Sequence, residues 1–569
     1  MDATPPVANA SASTHQPGTE SSAAPISPSL PGVKSGSPLY RRLAVAGLLT
    51  LHVLLANFAT WNKSPTFDET AHIGNGFSFW ATGDYRMSPD SILPQRWMTL
   101  PLYLAGYKAP PTDGEMWWKA DVWTYGRSLL YEQGNDHWSL LHTARLFNSL
   151  WNVGTGLIVY WWAAKLFGVA GGFVALVTYV FNPTVLAHGS SVTTDAGAAF
   201  AFTAATAALW TVLHTVSPLT VSLSCLAVGA AFVTKFSAVL LIPVALVITL
   251  VRILGRRPLL VRGFGRSKEL TVAWQQLAVI AGLVLLHVIA AWIIIWTVFG
   301  FRYEMMLNAV AGRDVPFHVG TWEDAVKRAK APLFPSEPER NVAVLSLIEW
   351  VREKHLLPEA YLTVFVGSLG TTAVRSSFLN GRYGIMGFPE FFPCCLLYKT
   401  PVAVFLLMAA AFAAHITRRM RQIIIEGQGG WRLLWNGIYA TSPLWSLLIV
   451  YWFFSITRGI NIGIRHILPT FPATFILVGA AGAWLYGIAR RWNSPPNVDP
   501  GDENRFARLP QGVQRAGRYV TAAVTAWLVI EVLSAYPNYL AYFNRASGGI
   551  NQGYTHLVDS SLDWGQEIP

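Results

Sequence analysis

Long apolar runs separated by short basic or long aromatic-rich stretches organise the chain from residue 40 to its end. A membrane-crossing helix needs about 20 mostly apolar residues, and by that measure there are about eleven candidates. They are 43–61, 145–166, 169–187, 193–213, 219–234, 237–254, 274–299, 401–417, 440–456, 467–488 and 518–536. Pro183 and Pro243 fall inside the crowded stretch 169–254 and are expected to bend or end helices there. Three segments, 62–144, 300–400 and 537–569, are too polar to cross. Their many Trp, Tyr, Phe and Pro residues predict loops and short helices lying at the membrane surface, among them one at 341–355.

Charge orients this pattern. With the N-terminus inside, behind Arg41 and Arg42, alternation places 252–273, 418–439 and 489–517 on that same side. Each carries a cluster of arginines, as the positive-inside rule requires. The three long polar segments then lie outside, where the chemistry is expected. Residues 1–38, rich in Ser, Pro, Ala, Thr and Gly, read as a disordered cytoplasmic tail. They lack the basic-then-apolar order of a signal peptide.

Composition agrees. Of 569 residues, 52% are hydrophobic and 13% charged, against about 25% charged in a soluble protein. The net charge of +11 is explained by loop arginines rather than by a nucleic-acid surface. Three cysteines, Cys225, Cys394 and Cys395, form neither a disulfide framework nor a zinc pattern.

The first polar segment opens Thr66-Phe67-Asp68-Glu69-Thr70-Ala71-His72. Thr66 with Glu69 three residues later predicts a capping box and a helix start. Asp68 and His72 then share one helix face. As first-turn acids, Asp68 and Glu69 also fit a plain role at the positive end of the helix dipole.

The acid pair after the first span resembles the acid-pair loop of the GT-C membrane glycosyltransferases. Within that class the chain is most similar to the dolichyl-phosphate-mannose–protein mannosyltransferase family and its bacterial relatives. Further stretches follow in the family's order: Asn182-Pro183 to His188-Gly189 with Thr193-Thr194-Asp195; Gly229 to Ser237 around Lys235; Leu357-Pro358-Glu359; Ser377 to Gly381; Lys399-Thr400-Pro401; Asn461 to Pro469 around Arg465-His466; Tyr536 to Asn544; and Asp563-Trp564-Gly565-Gln566. The resemblance covers roughly residues 40–569.

It implies an all-α polytopic fold and a polyprenyl-phosphate-linked hexose donor, such as a mannose donor. The acceptor would be a hydroxyl on a protein, with a lipid or glycan as the alternative, as in relatives that add aminoarabinose to lipid A. Asp68 would be the catalytic base, with Glu69, His72 and Asp195 in support. Arg465, His466, Lys399 and Lys235 would bind the donor phosphate, the arginine and lysines by charge. Lys235, Lys399 and Arg465 also fit as interfacial anchors, Asp195 as a helix cap, and His72 and His188 as packing residues. No metal-ligand set is visible, although some relatives use a divalent metal. Relatives with the Asp-Trp-Gly-Gln ending usually continue into a further outer domain; the stop at Pro569 reads as either loss of that domain or a truncated sequence, and any acceptor contacts of that part are not expected from residues 1–569. A transporter or lipid flippase is the rival reading, disfavoured because acids concentrate in the loops rather than at mid-span. The expected location is a bacterial inner membrane, with the N-terminus cytoplasmic and the C-terminus outside.

Overall fold

The computed structural model describes residues 38–88, 92–263, 265–315, 321–332, 336–371, 375–426, 428–485 and 511–567. The expected tail, 1–38, apart from Pro38, and most of the basic loop 489–517 lie outside these residues. Contacts divide the chain into Met1–Leu43 and Ala44–Pro569. The first unit contributes only the start of the helix Pro38–Ala59 to the described residues, and everything below concerns the second.

The protein is an integral membrane protein built from helices, with two small sheets. Seven helices among the described residues are long and apolar enough to cross a bilayer, or eight if a bent pair counts as one span. Among the described residues each expected segment falls on a helix, but several are merged, shortened or bent. Segments 145–166 and 169–187 run into the 44-residue helix His137–Val180. A straight helix of that length would reach about 66 Å, twice a bilayer core. Gly168 breaks it, with φ 78° and ψ 176°, a conformation that costs glycine little. The halves then fold back on each other: Tyr160 meets Phe173 edge-on at 5.2 Å, and the Tyr179 hydroxyl donates to the Asn152 carbonyl at 3.1 Å. Pro183 is the first residue of a separate helix, Pro183–Ser190, capped by Asn182. Helix Pro218–Thr234 has 17 residues, and Phe391–Lys399 meets the following helix at 101°.

Lipid contact explains an otherwise unusual surface. Helix Ala273–Val298 leaves Val284, Leu285, Val288 and Ile289 exposed, as a side chain facing hydrocarbon requires. The inner residues form one large core that draws on the first helix, both halves of the 137–180 hairpin and the helices from 402 onward.

The basic loop 252–273 contains strands Leu259–Gly263 and Arg266–Leu270, which form a hairpin. Its first strand also pairs in parallel with Thr215–Val216. This sheet is absent from the sequence expectation, because its strands are short and charged. A second hairpin joins Ser377–Leu379 to Arg382–Gly384. Asp195 and this basic sheet lie at opposite ends of the 18-residue helix Asp195–Val212, about 27 Å apart.

The segment 62–144 is largely helical. Helices Phe67–Thr82, Leu93–Leu104 and Val122–Tyr131 pack closely. The third approaches the first at Gly126, where a Cβ would fall on the Thr70 carbonyl oxygen. A buried ion cluster ties this segment to 300–315. Arg86 donates to both Asp84 oxygens, to Asp314 Oδ1 at 2.9 Å and to the Leu307 carbonyl. The expected helix at 341–355 is Val342–Glu353.

Gly126→Ala is expected to push helix Phe67–Thr82 outward and cost about 1–3 kcal/mol, as overpacking does. Heating the detergent-purified protein and following the loss of monodisperse material checks this. Gly47→Ala, where a Cβ meets nothing within 4 Å, is the control that should not lose stability.

Candidate active site

Two adjacent acids begin the helix Phe67–Thr82, and the fold treats them oppositely. The capping box is complete: Glu69 N–H donates to Thr66 Oγ1 at 3.2 Å, and Thr66 N–H donates to Glu69 Oε2 at 2.8 Å. Glu69 is fully buried. Arg145 grips it in a fork, Nε to Oε1 at 2.9 Å and Nη2 to Oε2 at 2.8 Å. Val192 N–H supplies a fourth donor at 2.9 Å. A carboxylate accepts about four hydrogen bonds, so Glu69 has no capacity left for a substrate. Burial alone would raise its pKa, but the Arg145 charge and these hydrogen bonds hold it below the usual carboxylate range.

Asp68 points the other way. Its side chain is 25% exposed, and Oδ2 accepts from Arg465 Nη1 at 2.8 Å. The same nitrogen lies 3.6 Å from Asp195 Oδ2. Asp195 Oδ1 in turn pairs with Lys235 Nζ, and Thr193 Oγ1 donates to Asp195 Oδ2 at 3.2 Å. Asp195 opens its helix without capping it through its side chain. Its carboxylate is committed to the two cations instead.

Four residues spread over 397 positions therefore form one chain of alternating charge, Asp68–Arg465–Asp195–Lys235. Each is delivered by an interruption in a helix. Lys235 stands between the helix Pro218–Thr234 and a 3-10 turn, Phe236–Leu240. Arg465 sits in the 3-10 helix Ile464–Thr470 that leads into an apolar helix. Among the described residues, Arg465 Nε and His466 Nε2 are buried and make no hydrogen bond. Arg465 Nε is thus an unused donor on the residue that binds the partly exposed Asp68.

Two expected site residues have other partners. Lys399 Nζ donates to the carbonyls of Leu540 at 2.6 Å and Ser561 at 2.5 Å, which ties down the segment after residue 537. His72 Nδ1 is bonded to Gln95 Nε2 at 2.7 Å, and Gln95 Oε1 accepts from Asn75 at 2.6 Å. That network joins two helices of the 62–144 segment. Among the described residues, no three His, Cys, Asp or Glu side chains come together as a metal site.

The sequence left two contributors unassigned. Arg145 gives no signal, because it looks like any arginine at the start of a span. Trp564 lies in the quoted Asp-Trp-Gly-Gln stretch, but only the folded chain shows its ring over the Arg465 guanidinium, 4.0 Å from Cζ.

No family model matches the chain, and no curated protein matches it. Among solved structures, ArnT from Cupriavidus metallidurans bound to undecaprenyl phosphate is similar, with a TM-score of 0.39 and 15% identity, over 91% of this chain and 74% of that one. ArnT from the same organism in the apo state gives a TM-score of 0.29 and 13% identity, over 79% and 80%. Overlap at this level establishes no shared activity.

Glu69→Gln is expected to cost about 3 kcal/mol or more, since it leaves Arg145 buried without its counter-charge. Asp68→Asn should cost within about 1 kcal/mol, because Asp68 is partly solvated and Asp195 remains beside Arg465. Thermal unfolding of both variants checks the contrast. The Glu69 contribution has a pH signature. Its folded pKa lies below the ordinary 4.5, so its stabilisation is present above that value and lost as pH falls through the folded one. The gap between wild type and Glu69→Gln should therefore narrow on acidification.

Proposed function

We propose that this chain is a GT-C-class membrane glycosyltransferase that moves a sugar from a polyprenyl-phosphate donor to an acceptor hydroxyl, with Asp68 as general base. The observation that carries this is the contrast between a saturated, buried Glu69 and a partly exposed Asp68 held by a buried arginine. A base must be reachable and must keep acceptor capacity, and of the two acids only Asp68 meets both conditions.

In the reaction the acceptor oxygen attacks the anomeric carbon and passes its proton to Asp68. The bond from that carbon to the donor phosphate oxygen breaks, and the electron pair leaves with the polyprenyl phosphate. The leaving group needs positive charge rather than a proton. Arg465 supplies it, with Lys235 behind Asp195, and His466 offers a hydrogen bond rather than a charge. Asp195 keeps both cations in place while no donor is bound. When a phosphate draws Arg465 toward itself, Asp68 loses its partner and is free to take a proton. One displacement by one base inverts the anomeric centre.

The site would face away from the cytoplasm of a bacterial inner membrane. The support is the basic sheet at the far end of helix Asp195–Val212, because basic loops favour the cytoplasmic side. The sugar would be of the hexose type, and the acceptor a protein hydroxyl or one on a lipid or glycan.

The test is transfer from a panel of radiolabelled polyprenyl-phosphate sugars by the purified protein with crude envelope as acceptor. Wild type should transfer label, and Asp68→Asn should be slower by about 10²–10⁴-fold while binding donor normally. Equal transfer by Asp68→Asn would sink the base assignment. A product that keeps the donor's anomeric configuration would rule out the single displacement.

A further inference from the structure

We infer that Trp564 is a positioning residue for Arg465, and that the segment 559–566 is part of the donor-phosphate site rather than a surface tail. The inference rests on the reading of Arg465 as the phosphate-binding cation.

Four contacts carry it. The Trp564 ring lies over the Arg465 guanidinium at 4.0 Å, on the residue that bridges Asp68 and Asp195. The Trp564 carbonyl accepts from Phe67 N–H at 3.0 Å, one residue before Asp68. The stretch just before Trp564 is pinned to the backbone that presents Arg465. Ser560 Oγ donates to the Ile462 carbonyl at 2.9 Å, and Ile464 N–H donates to Ser561 Oγ at 3.3 Å. One short segment thus touches Arg465 directly and the backbone next to Asp68.

The segment is itself held in place. Lys399 binds the Ser561 carbonyl from below, and the Gln566 side chain accepts from Trp564 N–H at 2.7 Å. Trp564 is 7% exposed, so its contact with the cation is made away from bulk water, where such contacts are strongest.

The physical consequence concerns orientation. An arginine side chain carries several rotatable bonds and loses entropy when held in one geometry. The guanidinium is planar, and an aromatic face restrains that plane. With the ring in place, the guanidinium plane is held beside the two carboxylates, and a donor phosphate need only displace Asp68 from Nη1. A donor phosphate then meets a cation whose ordering has already been paid for. Without the ring, Arg465 would keep its charge and lose its fixed direction.

The experiment measures donor KM and kcat, together with polyprenyl phosphate binding, on the full chain in detergent. The variants are Trp564→Ala, Trp564→Phe, Trp564→Leu, Arg465→Gln and the Trp564→Ala/Arg465→Gln double. Trp564→Ala should raise donor KM and weaken polyprenyl phosphate binding by about 5–30-fold, the range of a desolvated cation–π contact. Trp564→Phe, which keeps an aromatic face, should recover to within about threefold of wild type. Trp564→Leu fills the space without that face and should behave like Ala. It replaces Trp564→Ala if that protein is not monodisperse. In the Arg465→Gln background, Trp564→Ala should add no further loss. Wild-type donor KM and binding in Trp564→Ala or Trp564→Leu would overturn the inference, as would losses that multiply in the double variant. A wild type that neither transfers sugar nor binds polyprenyl phosphate would instead overturn the donor reading on which the inference stands.

Discussion

The site depends on one buried ion pair that takes no part in the proposed chemistry. Arginine has five N–H donors, and Arg145 uses all five. Nε and one Nη2 hydrogen bind Glu69, and the others bind the carbonyls of Thr60, Lys63 and Ser64. The turn after the first helix, the start of helix Phe67–Thr82 and the backbone at Val192 are thereby fastened to the long helix His137–Val180. A buried charge pair contributes little net stability unless its remaining hydrogen bonds are made. Here they are all made, and the fastening fixes where Asp68 sits.

From that fixed point the rest of the site follows by electrostatics. Asp68 is a neighbour in sequence of a saturated carboxylate, yet it faces a different set of elements. Its partner Arg465 comes from a 3-10 turn far along the chain, and Asp195 and Lys235 come from two further helix ends. Helix ends and breaks are where a membrane protein can place polar side chains without leaving backbone groups unpaired in hydrocarbon. The alternation of sign along Asp68–Arg465–Asp195–Lys235 lets four ionised groups share one confined region.

Arg86 makes a comparable fastening further out, between Asp84, Asp314 and the Leu307 carbonyl. It joins the two long polar segments that sequence alone treats as separate loops. Lys399 does the same for the segment after residue 537. Each of these cations could pass for a snorkelling anchor in the sequence. In the fold their nitrogens point inward to carbonyls and carboxylates.

What the sequence determined by itself is local or periodic. The apolar runs specify helices because hydrocarbon leaves the backbone no other way to bond itself. Thr66 and Glu69 specify a helix start because their groups bond across three residues. Asp68, Asp195, Lys235 and Arg465 are each visible as a charge at the edge of an apolar run, where a charge asks for a reason. What only the tertiary structure decided is which charges meet. It separated the surroundings of Asp68 and Glu69, joined Arg465 to two acids, turned Lys399 toward the 537–567 segment and His72 toward Gln95, and laid Trp564 over the central cation. It also broke the 44-residue helix at Gly168, where the apolar pattern alone shows two runs and no geometry. The reason is the same in each case: a hydrogen bond or ion pair between residues hundreds of positions apart leaves no trace in spacing, because nothing short of the packed helices brings the partners within reach.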